Sequence, residues 1–109
     1  MATTYKVLGQ SNPSATTATT LYTVPSSTTV VVSTITVCNQ AATAATFRIA
    51  VRPNAETLAA KHYVAYDSTV AANDTTALTL GITLDAADVL TVYASSGTVS
   101  FNAFGSEIS

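Results

Sequence analysis

An all-β domain, folded as an antiparallel β-sandwich, is the class this chain predicts, and three observations carry the prediction. Short segments of period-two alternation recur with turn residues at roughly ten-residue spacing, giving about eight strands. Thr makes up about a fifth of the chain and stands beside Val in most of these segments, a pairing suited to a pleated, half-buried surface. Helix formers gather in one place only, residues 54–61. Among sandwiches a jelly-roll-like arrangement is the expectation, because it disposes of edge strands in two packed sheets, and an immunoglobulin-like sandwich is the alternative. The 109 residues suffice for one domain that removes roughly 65% of its unfolded surface from water.

The expected organisation is an N-terminal strand and extended arm over residues 1–20, then a single sandwich over 21–109. Tyr5 to Leu8 is a short apolar edge strand, and residues 9–20, GQSNPSATTATT, form an extended arm or loop. Residues 21–24 make a strand that Pro25-Ser26-Ser27 ends, since Pro fixes φ and supplies no ladder donor. Residues 28–53 are expected to be the central hairpin. In its first arm Val31, Ile35 and Val37 share a face, with Val30, Val32, Thr34, Thr36 and Cys38 on the other. In its second arm Phe47, Ile49 and Val51 point one way and Thr46, Arg48, Ala50 and Arg52 the other, with residues 39–45 as the turn.

Residues 54–61, NAETLAAK, are expected to form at most two helical turns, with Asn54 as N-cap and Glu56 near the positive end. Alternation then resumes over 61–67, with His62, Val64 and Tyr66 on one face and Tyr63 and Ala65 on the other. Asn73-Asp74 turn into residues 75–84, where Leu78, Leu80, Ile82 and Leu84 share a face. Two further strands, 89–94 and 98–104, follow the turns Asp85-Ala86-Ala87-Asp88 and Ser95-Ser96-Gly97.

Charged residues are 9% of the chain, against about 25% in typical soluble domains. A surface so poor in charge has little electrostatic defence against association, and the expectation is that neighbouring subunits cover much of it. With four basic and six acidic residues there is no cationic stripe for phosphates, so nucleic acid is not an expected partner. The sequence shows no signal-peptide pattern and no apolar run of about 18 residues, which points to synthesis and retention in the cytosol, with no membrane as partner. Cys38 stands alone and is expected to act as a small core or half-buried hydrophobe, not a reactive thiol.

The reactive groups make no recognisable catalytic set, and no enzyme activity, metal or cofactor is expected. His62 with Asp67 or Asp74 and a serine is the sole combination resembling a hydrolytic triad, and no serine lies in a Gly-x-Ser-x-Gly context. Asp67, Asn73 and Asp74 are oxygen donors of the kind Ca²⁺ takes, although turn chemistry explains them equally, as it does Asp85 and Asp88. Tyr5, Tyr22, Tyr63, Tyr66 and Tyr93 could stack on a sugar ring, but the chain has no Trp to reinforce them. The candidate site is therefore an interface, assigned to Tyr5, Lys6, Tyr22, Arg48, Arg52, His62 and Tyr63. Arg48 and Arg52 suit pairing with a neighbour's carboxylate, and a solvated strand face accounts for them as well.

Six stretches, LYTVP at 21–25, RIAVRP at 48–53, KHY at 61–63, ANDT at 72–75, LTLG at 78–81 and FNAFGSEI at 101–108, resemble short β-rich virion proteins of tailed bacteriophages, including those of cyanobacteria. The resemblance spans nearly the whole chain and rests on strand and turn segments. It implies a non-enzymatic structural protein, assembled in the host cytoplasm and resident in the virion. The implied role is head decoration (cement) by a homo-oligomer, with a homotrimer expected, seated on the major capsid protein. A tail, neck or baseplate component bound to tail proteins, or a carbohydrate-binding module for host adsorption, is the alternative.

Overall fold

A computed structural model describes residues 2–109 and folds them into two antiparallel sheets. The strands are β1 (Thr3–Ser11), β2 (Thr19–Thr23), β3 (Thr29–Asn39), β4 (Ala45–Arg52), β5 (Tyr63–Val70), β6 (Thr75–Leu78), β7 (Ile82–Leu84), β8 (Val89–Ala94) and β9 (Val99–Ile108). Their pairing is nested. β1 pairs with β9, β2 with β8, β3 with β6 and β7, and β4 with β5. The chain is thus one long antiparallel ribbon, rolled so that its successive segments alternate between sheets ordered β1-β9-β3-β6 and β2-β8-β4-β5. That is the jelly-roll plan. The eight expected strands become nine because one arm of the ribbon is interrupted between Leu78 and Ile82, where Gly81 adopts φ 66°.

The core lies between the sheets. Ile35 and Val37 of β3 and Phe101 and Ala103 of β9 face Phe47 and Ile49 of β4 and Leu90 and Val92 of β8, all fully buried. Phe47 and Phe101 meet edge to face across the gap, with centroids 6.3 Å apart. β3 and β4 are not the two arms of a hairpin; they lie in opposite sheets, joined by residues 40–44. Each carries one apolar face, and placing the strands across from one another lets those faces cover each other.

The inward-pointing residues of β3 also differ from those expected. Val30, Val32, Ile35 and Val37 are buried, so the parity changes in mid-strand. The register with β9 slips between Val32 and Thr34, a bulge that adds one residue and flips the alternation. Val31 consequently faces out, 39% exposed, instead of sharing a face with Ile35 and Val37. Leu80 is also exposed, because it sits in the interruption between β6 and β7, while Leu84 is buried.

Residues 54–61 do not form the expected helix. Two single 3-10 turns, Pro53–Ala55 and Ala60–His62, overlap its ends instead, and Asn54 and Ala55 are in the left-handed region. Competing partners explain the outcome. The Asn54 N–H donates to Asp88 Oδ1 at 2.8 Å, and Arg52 donates through Nε to the Glu56 carbonyl at 2.7 Å, so the segment's polar groups are satisfied outside a helix.

The N-terminal segment is extended as a strand: β1 continues to Ser11 and pairs with β9 along its length, which confines the loop to residues 12–18. Leu8 enters the core at a bulge between Val7 and Gly9. A Cβ on Gly9 would collide with the Leu21 carbonyl oxygen, so glycine is what permits β1 to pass β2 at this corner.

Candidate functional site

Two outward surfaces, one on each sheet, collect the residues whose chemistry the core does not use. On the β2-β8-β4-β5 sheet the centre is Arg48. The register sets Arg48 opposite Tyr93 of β8, while on the other side β4 and β5 slip past each other: Phe47 pairs with Ser68 and Ile49 with Ala65. Tyr66 and Asp67 therefore share the place opposite Arg48, and Asp67 takes φ 49° to fit. Its carboxylate accepts from Arg48 Nε at 2.6 Å and from a terminal guanidinium nitrogen at 3.3 Å. The guanidinium carbon lies 4.2 Å from the ring centroids of both Tyr66 and Tyr93. A planar, forked cation suits this place and an ammonium would not. The Asp67 carboxyl is held below its usual range by Arg48, and the guanidinium is raised by the same pair.

Beside this stack, Tyr63 meets Tyr66 at 82° with centroids 4.9 Å apart. The two rings form one wall of an open groove of about 600 Å³, closed opposite by Leu58, Ala59 and Ala60. The loop that supplies this second wall is shaped by His62. The expectation placed His62 at the surface or an interface; it is 5% exposed, with Nδ1 accepting from the Ala59 N–H at 2.9 Å. Nε2 then carries the proton and donates to Glu56 Oε1 at 3.2 Å. Lys61 reaches the same carboxylate at 3.3 Å, and the contact from His62 with the help of Lys61 lowers the Glu56 pKa. Both His62 nitrogens are thus engaged with its own loop, not with Asp67 or Asp74.

The second surface is the outer face of β1, β9 and β3. Bulges flank β9 on both sides at one level, in β1 between Val7 and Gly9 and in β3 between Val32 and Thr34. The sheet is dished there into a depression of about 600 Å³ whose apolar lining is Tyr5, Val7, Val31 and Phe104. Tyr5 is 84% exposed. At the centre a Cβ on Gly105 would collide with the Val31 carbonyl oxygen, so the close passage of β9 and β3 depends on glycine.

The interface residues expected from sequence are thus divided. Tyr5 and Lys6 lie at the second surface and Arg48 and Tyr63 at the first. The other three are engaged within the chain. His62 forms the loop latch. Arg52 donates to the Glu56 and Ala55 carbonyls and to Thr91 Oγ1 within its own chain. Tyr22 is buried at a bulge of β2, and its hydroxyl donates to Glu107 of β9, which also pairs with Lys6 of β1 at 3.4 Å. Tyr66, Val7, Val31, Tyr93 and Phe104 lie outside the expected interface, because the bulges that turn or dish these surfaces show in a sequence at most as a change of parity. The Asp67, Asn73 and Asp74 donors do not converge. Asp67 is on Arg48, Asp74 Oδ1 accepts from the Thr75 N–H, and no cluster of three or more metal-ligating residues exists among the described residues.

Tyr22 and Glu107 give a pH dependence with two ends. The hydrogen bond from Tyr22, aided by Lys6, lowers the Glu107 pKa, so its contribution is present above its ordinary 4.5 and is lost as pH falls through the lower folded value. Burial first, then Glu107, raises the Tyr22 pKa, so the neutral phenol's contribution is complete below the ordinary 10.0 and declines as pH rises toward the raised value. Tyr22→Phe is expected to lower stability by about 1 kcal/mol at neutral pH and to remove that alkaline decline, read by urea denaturation at pH 7 and 10.5.

The chain matches no family model and no curated protein.

Proposed function

We propose that this chain is a non-enzymatic structural subunit of a tailed-phage virion, a head-decoration protein that associates with itself as a homotrimer and seats on the major capsid protein. The observation that carries the reading is the dished outer face of β1, β9 and β3, with Tyr5, Val7, Val31 and Phe104, in a chain only 9% charged. Apolar side chains gathered in one depression with Lys6 as the charged group in its lining favour burial against protein. The resemblance of the strand and turn segments to small virion proteins supplies the setting. A contact of about 800 Å² per partner is enough for specificity, and many copies on a lattice multiply a modest affinity.

Two measurements test the reading. In sedimentation velocity the native chain is expected to run as a trimer, and the double variant Val7→Lys, Val31→Lys as a monomer with an unchanged circular dichroism spectrum, since both side chains point outward. A monomeric native chain would overturn the self-association. Quantitative mass spectrometry of purified particles is expected to find the chain at copy numbers comparable with the major capsid protein. A few copies per particle would move it to the tail, neck or baseplate, and its absence would overturn the virion role.

A further inference from the structure

We infer that the outer face of the β2-β8-β4-β5 sheet is a binding site for a neutral pyranose, with the sugar ring seated in the groove against Tyr63 and Tyr66 and its hydroxyls turned toward the carboxylate of Asp67, which lies beside the groove on the Arg48 guanidinium that Tyr66 also covers. The site lies on the sheet opposite the proposed assembly face, so the two readings stand or fall separately.

The groove has the shape such a ligand needs. Two tyrosine rings set at 82° present their surfaces to the groove, and Tyr66 remains 58% exposed although it already covers Arg48. The C–H face of a pyranose is apolar and stacks on an aromatic ring, while its hydroxyls stay at the wet edge, where phenolic tips also sit. A volume of about 600 Å³ falls within the range of small-ligand sites and holds one or two sugar rings.

The site is also held rigid before any ligand arrives. Tyr66 is clamped over the guanidinium, the guanidinium is fixed by the Asp67 fork, and the bulge places Asp67 in a left-handed conformation that a non-glycine residue adopts at a cost. Side chains aimed by a bulge and locked by a second layer of contacts lose little entropy on binding.

The chemistry selects among ligand classes. Each Asp67 oxygen accepts one hydrogen bond from Arg48 and has a second lone pair, and the side chain is 45% exposed, so the carboxylate can accept from two neighbouring hydroxyls. An anionic ligand would meet that carboxylate. A cation would find the favoured place between Tyr66 and Tyr93 already filled by the chain's own guanidinium. A neutral polyol with one apolar face satisfies both conditions.

The test uses the full chain, first on a glycan array and then in ¹H–¹⁵N NMR titrations with methyl glucoside, methyl galactoside and methyl mannoside and with the strongest array ligand. Binding to a reproducible subset of neutral glycans is expected, with shift changes confined to residues 58–67 and the neighbouring Arg48 and Tyr93 amides. Tyr66→Ala is expected to weaken binding at least about tenfold, with Tyr66→Phe retaining most of it. Asp67→Asn, which tolerates the left-handed backbone, is expected to weaken binding while the thermal midpoint confirms a folded chain. Absence of binding to every array glycan and all three glycosides would overturn the inference, as would full affinity in a folded Tyr66→Ala. The Val7→Lys, Val31→Lys variant is expected to bind sugar like the native chain, which separates this site from the assembly face.

Discussion

Asn39→Leu is expected to destabilise the domain by about 4 kcal/mol, one of the largest effects of any single polar substitution in this fold. Asn39 ends β3 and is 1% exposed. Its Nδ2 donates to the Thr43 carbonyl at 2.8 Å and the Ala71 carbonyl at 3.3 Å, while Oδ1 accepts from the Ala41 N–H at 3.1 Å and the Thr98 hydroxyl at 3.0 Å. One amide thereby ties together three connections at one end of the sandwich: the crossing from β3 to β4, the turn before β6 and the turn before β9. Leucine has a similar volume but returns nothing to four polar groups, each costing about 1–3 kcal/mol if left dry. Water entering the loosened end recovers part of that, which is why the expected loss is below the sum. Urea denaturation followed by tyrosine fluorescence measures it. Thr98→Val serves as the comparison, since it removes one of the four bonds and is expected to cost about 1 kcal/mol. Equal effects for the two variants would mean that Asn39 is not the shared anchor.

How far the sequence could be read follows from what each interaction depends on. The alternation of Phe47, Ile49 and Val51 is local, and the strand it predicts is there as β4. The jelly-roll class was legible because turn residues punctuate the chain regularly. Partner choice was not, since a strand such as 29–39 with one apolar face is satisfied equally by a neighbour in its own sheet or by a facing sheet. The β3–β9 bulge has its trace in the sequence only as a change of parity, Val30 and Val32 followed by Ile35 and Val37. Polar destinations were harder still. Tyr22 and Glu107 are far apart in the chain, as are Arg48 and Tyr93, and nothing within either segment announces the meeting. The helix expected at 54–61 shows the converse: local propensity favoured it, and Arg52, Asp88 and His62 together supplied the loop with better partners.

Removing residues 1–11 is expected to abolish cooperative folding, an effect on the order of the whole stability of a small domain, about 5–15 kcal/mol. β1 is the sole cover on one edge of β9. It contributes backbone pairing from Thr3 opposite Ile108 to Ser11 opposite Phe101, together with the Gln10–Asn102 hydrogen bond at 2.7 Å. Leu8 would leave the core beside Leu21, and Glu107 would lose Lys6 while still bound to Tyr22. The truncated chain would expose β9 as a long edge strand with apolar residues, which invites pairing with other chains. Loss of the sigmoidal thermal transition together with aggregation in light scattering is the expected result. The outcome bears on function because an N-terminal arm that docks on a particle would be dispensable for folding. A truncated chain that melts at the native temperature would leave β1 free for such docking. If it unfolds, the stretch free to dock without harming the sandwich is the loop at 12–18, where Ser14 and Thr17 are exposed while Asn12 and Thr16 are bonded back to the domain at Val99 and Ala94.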